Sequence, residues 1–292
     1  RRLPRGKGRA GLRRCTGSPR RQVVALAGIF SCPLFFPLAP LLAQLPSRPE
    51  RDALVALAAK HPVATADGHP VRFVPPQDDG LGYEARIAAR GEIETREDNW
   101  HDWFNGLVWL TFPKAKAALS ARHAAELAAA GEPRGAVRDA MTHFDECGAV
   151  VVAEDGSLLD LLAGFRWKEL FVERRAEAIA GLRVFIFGHA TYESLLAPFR
   201  GLTAKCVLTP VAAGWLQKPL TGQLAEIDGW LAADLAAGQH GDPRGLQPLP
   251  LLGVPGVVPE SDDPAYYDDT WQFRPGRRSG HQSAGKAQGE RV

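Results

Sequence analysis

The sequence predicts a helix-rich α+β domain built around a small mixed or antiparallel sheet. Helical periodicity runs through Asn99–Pro113 and Leu220–Ala237, both longer than a typical strand. Short apolar runs, Ala149–Ala153 and Arg183–Phe187, have the length of buried strands. The two kinds of segment mix without regular βαβ alternation. At 292 residues and 45% hydrophobic content, the chain can bury a sizeable core. We expect a single globular domain over 32–274, a disordered basic extension over 1–31 and a disordered tail over 275–292.

Taken in order, Pro33–Leu45 and Arg48–Lys60 read as short helices, the second with Leu54, Leu57 and Ala58 at helical spacing. Val71–Val74 and Tyr83–Arg90 read as strands around an Asp78-Asp79-Gly80 turn. Asp98–Phe112 is an aromatic helix, and Pro113 can open the next, Ala-rich one, which ends at Gly131. A helix over Arg134–Phe144 leads into the strand Ala149–Ala153, and Asp155-Gly156 suggests a hairpin to Leu158–Leu162. Trp167–Ala180 is helical, Arg183–Phe187 a strand, and a short helix follows Gly188-His189. Cys206–Thr209 is a strand and Leu220–Ala237 an amphipathic helix. The Pro- and Gly-rich remainder keeps Tyr266, Tyr267, Trp271 and Phe273 to dock it until about Arg274.

The net charge of +2 hides an uneven distribution. Residues 1–21 hold nine basic and no acidic side chains, and the stretch from Arg274 onward holds five against one. The body between them stands at −11, with 21 basic and 32 acidic residues. Such a body argues against a broad phosphate-binding surface, so nucleic-acid binding is expected only of the tails. Four widely spaced cysteines form no C-x-x-C pair, which points to reduced thiols, a cytoplasmic setting, and Cys147 and Cys206 as small core residues. The basic start and Val23–Cys32 offer the alternative of an exported or lipidated chain. Pro33, Pro37 and Pro40 break that apolar run, so no membrane span is expected.

Four polar clusters compete for chemistry. On the aromatic helix, Trp100, Trp103, Phe104, Leu107, Val108 and Leu110 cover one side, while Asp98, His101, Asp102 and Asn105, with Trp109, fall on the other. Imidazole beside carboxylate can hold a divalent metal or relay a proton; a solvated helix face would use the same residues. Asp145 and Glu146 stand where a helix gives way to a strand, and a turn ended by Gly148 is the structural alternative. His189 follows an apolar strand and Gly188, with Glu193 one turn later, a pattern that also serves simple helix capping. Tyr266–Arg274 is a lid or a docked tail. Walker, dinucleotide-binding, zincin and nucleophile-elbow signatures are absent.

These clusters, in this order, resemble a bacterial family of unknown function, domain of unknown function 3025. The likeness rests on Asn99–Pro113, Arg138–Gly148, Phe187–Glu193, Gly201–Lys205 and Tyr266–Pro275, and spans about Cys32 to Pro275. Gly106 stands where the family pattern has Ala, and Cys32 where it has His. The resemblance implies that Pro33–Leu45 belongs to the domain and carries no established activity.

The residues themselves suggest a divalent-metal-dependent hydrolase acting on a small-molecule substrate. His101, Asp102, His189 and Glu193 are the expected catalytic groups, His101, Asp145 and His189 the metal ligands, and Asn105 and Lys205 the substrate contacts. The alternative is a non-catalytic binding or scaffold protein whose polar motifs are buried hydrogen-bond networks. One distance decides whether the motifs share an ion: imidazoles more than about 10 Å apart cannot.

Overall fold

The computed structural model describes residues 32–46, 48–128 and 136–276, and shows a helix-rich α+β domain with two small sheets. The expected N-terminal extension, most of the C-terminal tail and the Gly131 helix stop lie outside the described residues.

The first sheet pairs β1 (Arg72–Val74) with β2 (Glu92–Glu94) in parallel, joined by helix α2 (Tyr83–Arg90); helix α1 (Arg51–Lys60) precedes it. The Tyr83–Arg90 strand expectation is therefore corrected, and β2 is a strand the sequence did not announce. Ala85, Ala88 and Ala89 favour helix, and only Ile87 is β-branched. The helix also carries Arg86 inward, where it meets Asp79, Glu92 and Glu94.

Helix α3 (Trp100–Thr111) is the aromatic helix. Asn99 caps it by accepting from Asp102 N at 2.9 Å. Residues 102–110 are all buried, including Trp109, and of the polar face on the helix only His101 stays partly exposed, so the alternative of a wholly solvated face does not hold. Helix α4 (Pro113–Ala128) turns away directly, its proline at the first position, where no intrahelical N–H bond is lost. Two orphan amides at this start, Lys114 N and Ala115 N, donate to Asp228 at 3.2 and 2.8 Å.

Helix α5 (Ala136–Cys147) runs straight into β3 (Gly148–Ala153), whose six residues are all buried. From β3 the chain enters helix α6 (Gly156–Ala163), which corrects the expected hairpin. Asp155 caps it through Ser157 N at 2.9 Å, and Leu158, Leu159, Leu161 and Leu162 supply the buried face. After a π turn at Glu169–Glu173 come helix α7 (Arg175–Gly181), β4 (Leu182–Ile186), helix α8 (His189–Leu195), β5 (Thr203–Pro210), helix α9 (Leu220–Ala236) and β6 (Gln247–Pro250). The second sheet has the order β4-β3-β5-β6, antiparallel except for the β3–β5 pair. The sheet is thus mixed. Proline-containing β6 takes an edge, where its missing donors cost least.

The sheet brings together the end of β4 and the beginning of β3. Phe187 N and Gly188 N both donate to Gly148 O, at 2.9 and 2.8 Å. Gly188 lies so close to the end of α5 that a Cβ there would sit 2.5 Å from Cys147 Cα and from Glu146 O. Cys206 is in the core, whereas Cys147 is only half-buried, and both are free thiols with Cys32. The closing segment is docked by Tyr267, whose hydroxyl donates to Gly253 O at 2.8 Å. No helix among the described residues is long and apolar enough to cross a membrane.

Gly188→Ala should lower stability by about 1–3 kcal/mol, because the obstructing atoms are backbone rather than movable side chain. Urea unfolding of the two proteins measures it; an unchanged midpoint would mean that α5 can retreat.

Candidate metal centre

Three elements meet at this end of the sheet: α3 brings His101, α8 brings His189 and Glu193, and the last turn of α5 brings Asp145 and Glu146. Aromatic stacking fixes how α3 sits against α8. Phe104 stacks on Tyr192 with centroids 5.6 Å apart and on Trp100 at 5.7 Å. The buried Tyr192 hydroxyl donates to Ile186 O at 2.8 Å, anchoring the same ring to β4.

Held this way, His101 Nε2 and His189 Nε2 face each other at 3.0 Å. Two imidazoles bound to one ion at about 2.0–2.1 Å have nitrogens about 2.9–3.4 Å apart for ligand angles from roughly 90° to tetrahedral. The observed spacing falls within that range, and it is equally the length of an N–H···N hydrogen bond. Glu146 Oε2 lies 3.7 Å from His189 Nε2, and one ligand atom from each of His101, Glu146 and His189 falls within 4.8 Å of the others.

Of the two outer ring nitrogens, only that of His101 has a carboxylate within hydrogen-bond distance. His101 Nδ1 donates to Glu193 Oε2 at 3.2 Å, which leaves Nε2 with its lone pair toward the cluster. His189 Nδ1 is buried without a hydrogen bond, and its nearest carboxylate oxygen is Asp145 Oδ2 at 3.9 Å. Asp145 is itself paired with Lys116 Nζ at 2.5 Å. Burial pushes the carboxyl of Asp145 up, but the charge and hydrogen bond of Lys116, together with the neighbouring His189 and His123, outweigh it and hold the group below its ordinary range. Burial raises Glu146, with help from neighbouring Asp145. Burial also drives His189 down to about 3, which keeps its imidazole neutral at physiological pH.

The other expected site residues lie off this cluster. Asp102 turns away from the imidazoles and accepts Arg96 Nε, Nη2 and backbone N, each at 2.8 Å. Burial favours its protonation, yet those bonds hold it low. Asn105 is buried and donates to Tyr83 Oη at 2.7 Å. Lys205 lies on β5 opposite Gly148 and lines a separate cavity. Arg96, Lys116 and Tyr83 belong to none of the sequence motifs, and nothing local marks them. Glu146 stands in its motif beside Asp145, the residue the sequence favours as ligand.

Compared with known families, residues 71–277 match the one described as Protein of unknown function (DUF3025). The match begins well after Cys32, where the sequence resemblance starts. No curated protein and no solved structure matches the chain.

Folding lowers His189 from 6.5 to about 3, so across that interval the folded protein binds fewer protons than the unfolded chain. Its contribution to stability should be whole above pH 6.5 and should fade as pH falls toward 3. NMR titration of the His189 ring should show no protonation step between about pH 8 and 5; a step near 6.5 would contradict this burial effect.

Proposed function

The chain belongs to the DUF3025 family, and from the geometry of its histidine pair we propose a divalent-metal-dependent hydrolase. The observation that carries this reading is the 3.0 Å approach of two Nε2 atoms with Glu146 beside them. Two imidazoles and one carboxylate give three protein ligands, which leaves room on the ion for water and substrate. The His101 and Glu146 side chains are partly exposed, at 32% and 42%, so that room faces solvent. The ion would lower the pKa of its water toward neutrality, and Glu193 would serve as both orienting group and general base. Arg96, paired with Asp102 at the start of α3, is the nearby cation suited to a developing negative charge. A small molecule and a cytoplasmic setting complete the reading.

A scaffold role has one specific observation in its favour. Without an ion, the same Nε2–Nε2 contact is an ordinary N–H···N hydrogen bond tying α3 to α8.

Metal analysis of protein purified without chelator should find about one equivalent per chain, with His101→Ala, His189→Ala and Glu146→Gln each losing it. Glu193→Gln should weaken binding about 10–100-fold by loosening His101. Hydrolysis of an ester and phosphoester panel should vanish with chelator and return with the ion. Metal-free preparations with all variants folded would remove the proposal. Ferrous iron as the sole bound ion would move it from hydrolysis to oxygen chemistry. The scaffold reading predicts instead that His101→Ala costs about 1–3 kcal/mol in thermal melting, by orphaning its buried partner.

A further inference from the structure

Away from the histidine pair, a cavity of about 760 Å³ opens along β5 and β6. That volume is within the usual range of about 300–1,000 Å³ for small-molecule sites. Its charge runs against the rest of the molecule. Lys205, Arg244 and Arg274 line it and no acidic side chain does, although the body of the chain is strongly acidic. No ion pair engages any of these three cations among the described residues, whereas nearby Arg200 is clamped by Asp269 at 2.7 and 2.5 Å.

The neutral polar groups of the lining are already committed. Trp167 Nε1 donates to Arg274 O at 2.9 Å, Gln247 Nε2 to Leu162 O at 3.0 Å, and Thr203 Oγ1 to Gly201 O at 2.8 Å. Arg274 Nε donates to Trp271 O at 3.3 Å and its guanidinium lies 5.9 Å from that ring, so recognition is left to Lys205, Arg244, the outer nitrogens of Arg274 and the aromatic faces. Trp271 is 52% exposed in the wall, and Arg200 stacks over its ring at 4.8 Å. Gly201, at φ +89°, lets that indole lie against the chain: a Cβ would come within 2.6 Å of the ring. A flat anionic ligand would cover this exposed indole and neutralise cations that have no carboxylate partner among the described residues.

We propose that this cavity binds a small phosphorylated ligand carrying an aromatic ring, of the nucleoside diphosphate class. The cations take the phosphates and Trp271 stacks the ring. The acidic body disfavours a long polyanion, so a free small molecule is the occupant rather than nucleic acid.

Binding of ADP to the full chain, followed by calorimetry and tryptophan quenching in excess EDTA, tests this independently of any bound metal. ADP should bind, with adenosine and pyrophosphate each at least about tenfold weaker, since each lacks half the recognition. Lys205→Gln combined with Arg244→Gln should raise the ADP Kd at least about tenfold, and Trp271→Phe should abolish most of the quenching. His101→Ala should bind ADP as the parent does, which separates this site from the metal centre. The proposal falls if ADP shows no binding at about 5 mM, a concentration at which any contact worth more than roughly 3 kcal/mol registers. It also falls if the folded double variant binds unchanged, if pyrophosphate equals ADP, or if a short single-stranded DNA displaces ADP at far lower concentration.

Discussion

The near-complete burial of α3, from Asp102 to Leu110, is the constraint on which the remaining architecture depends. An isolated helix with Trp100, Trp103, Phe104 and Trp109 on more than one face has no solvent side to offer, so it must be enclosed. α8 encloses it through Tyr192, and the Pro33–Leu38 turn through Phe35, which packs on both Phe104 and Tyr192 at 5.9 and 5.3 Å. These rings fix the rotation of α3 and therefore where His101 points. The polar residues of the helix then need internal partners, and Arg96, Tyr83 and Glu193 supply them.

Electrostatics divides the molecule along the same lines. Carboxylates gather around the imidazoles, most of them matched: Asp145 with Lys116, Asp102 with Arg96, Glu193 with His101. Their purpose is positional, because each bond pins a side chain that would otherwise sample several rotamers. At the β5–β6 side the balance reverses, with Lys205, Arg244 and Arg274 lining the cavity and no carboxylate among its described lining residues. An uneven distribution of this kind gives one small fold two chemically distinct faces to its surroundings.

Much of this is legible in the sequence where a pattern is long. The aromatic helix and the helix at Leu220 follow from periodicity, and the Ala149–Ala153 and Arg183–Phe187 strands from short unbroken apolar runs. Tyr83–Arg90 misleads because eight residues of mixed character fit both periods, and Arg86 is buried by ion pairs that no local pattern announces. Asp155-Gly156 misleads because Asp is equally a turn residue and a helix cap, and only the leucines after it decide. In the site, the three motifs point to convergence. Which of Asp145 and Glu146 reaches the imidazoles is not legible, since adjacent helical residues differ by about 100° and only Lys116, 29 residues away, claims one of them.

His101 and His189 are 88 positions apart in the chain, yet their rings touch. An ion between them would act as a clasp, joining the part of the chain that ends in α3 to the part that begins at α8. Clasps that span long loops remove the most freedom from the unfolded chain, so free metal concentration would set how long this fold survives as well as what it does. Metal supply and protein abundance would then rise and fall together.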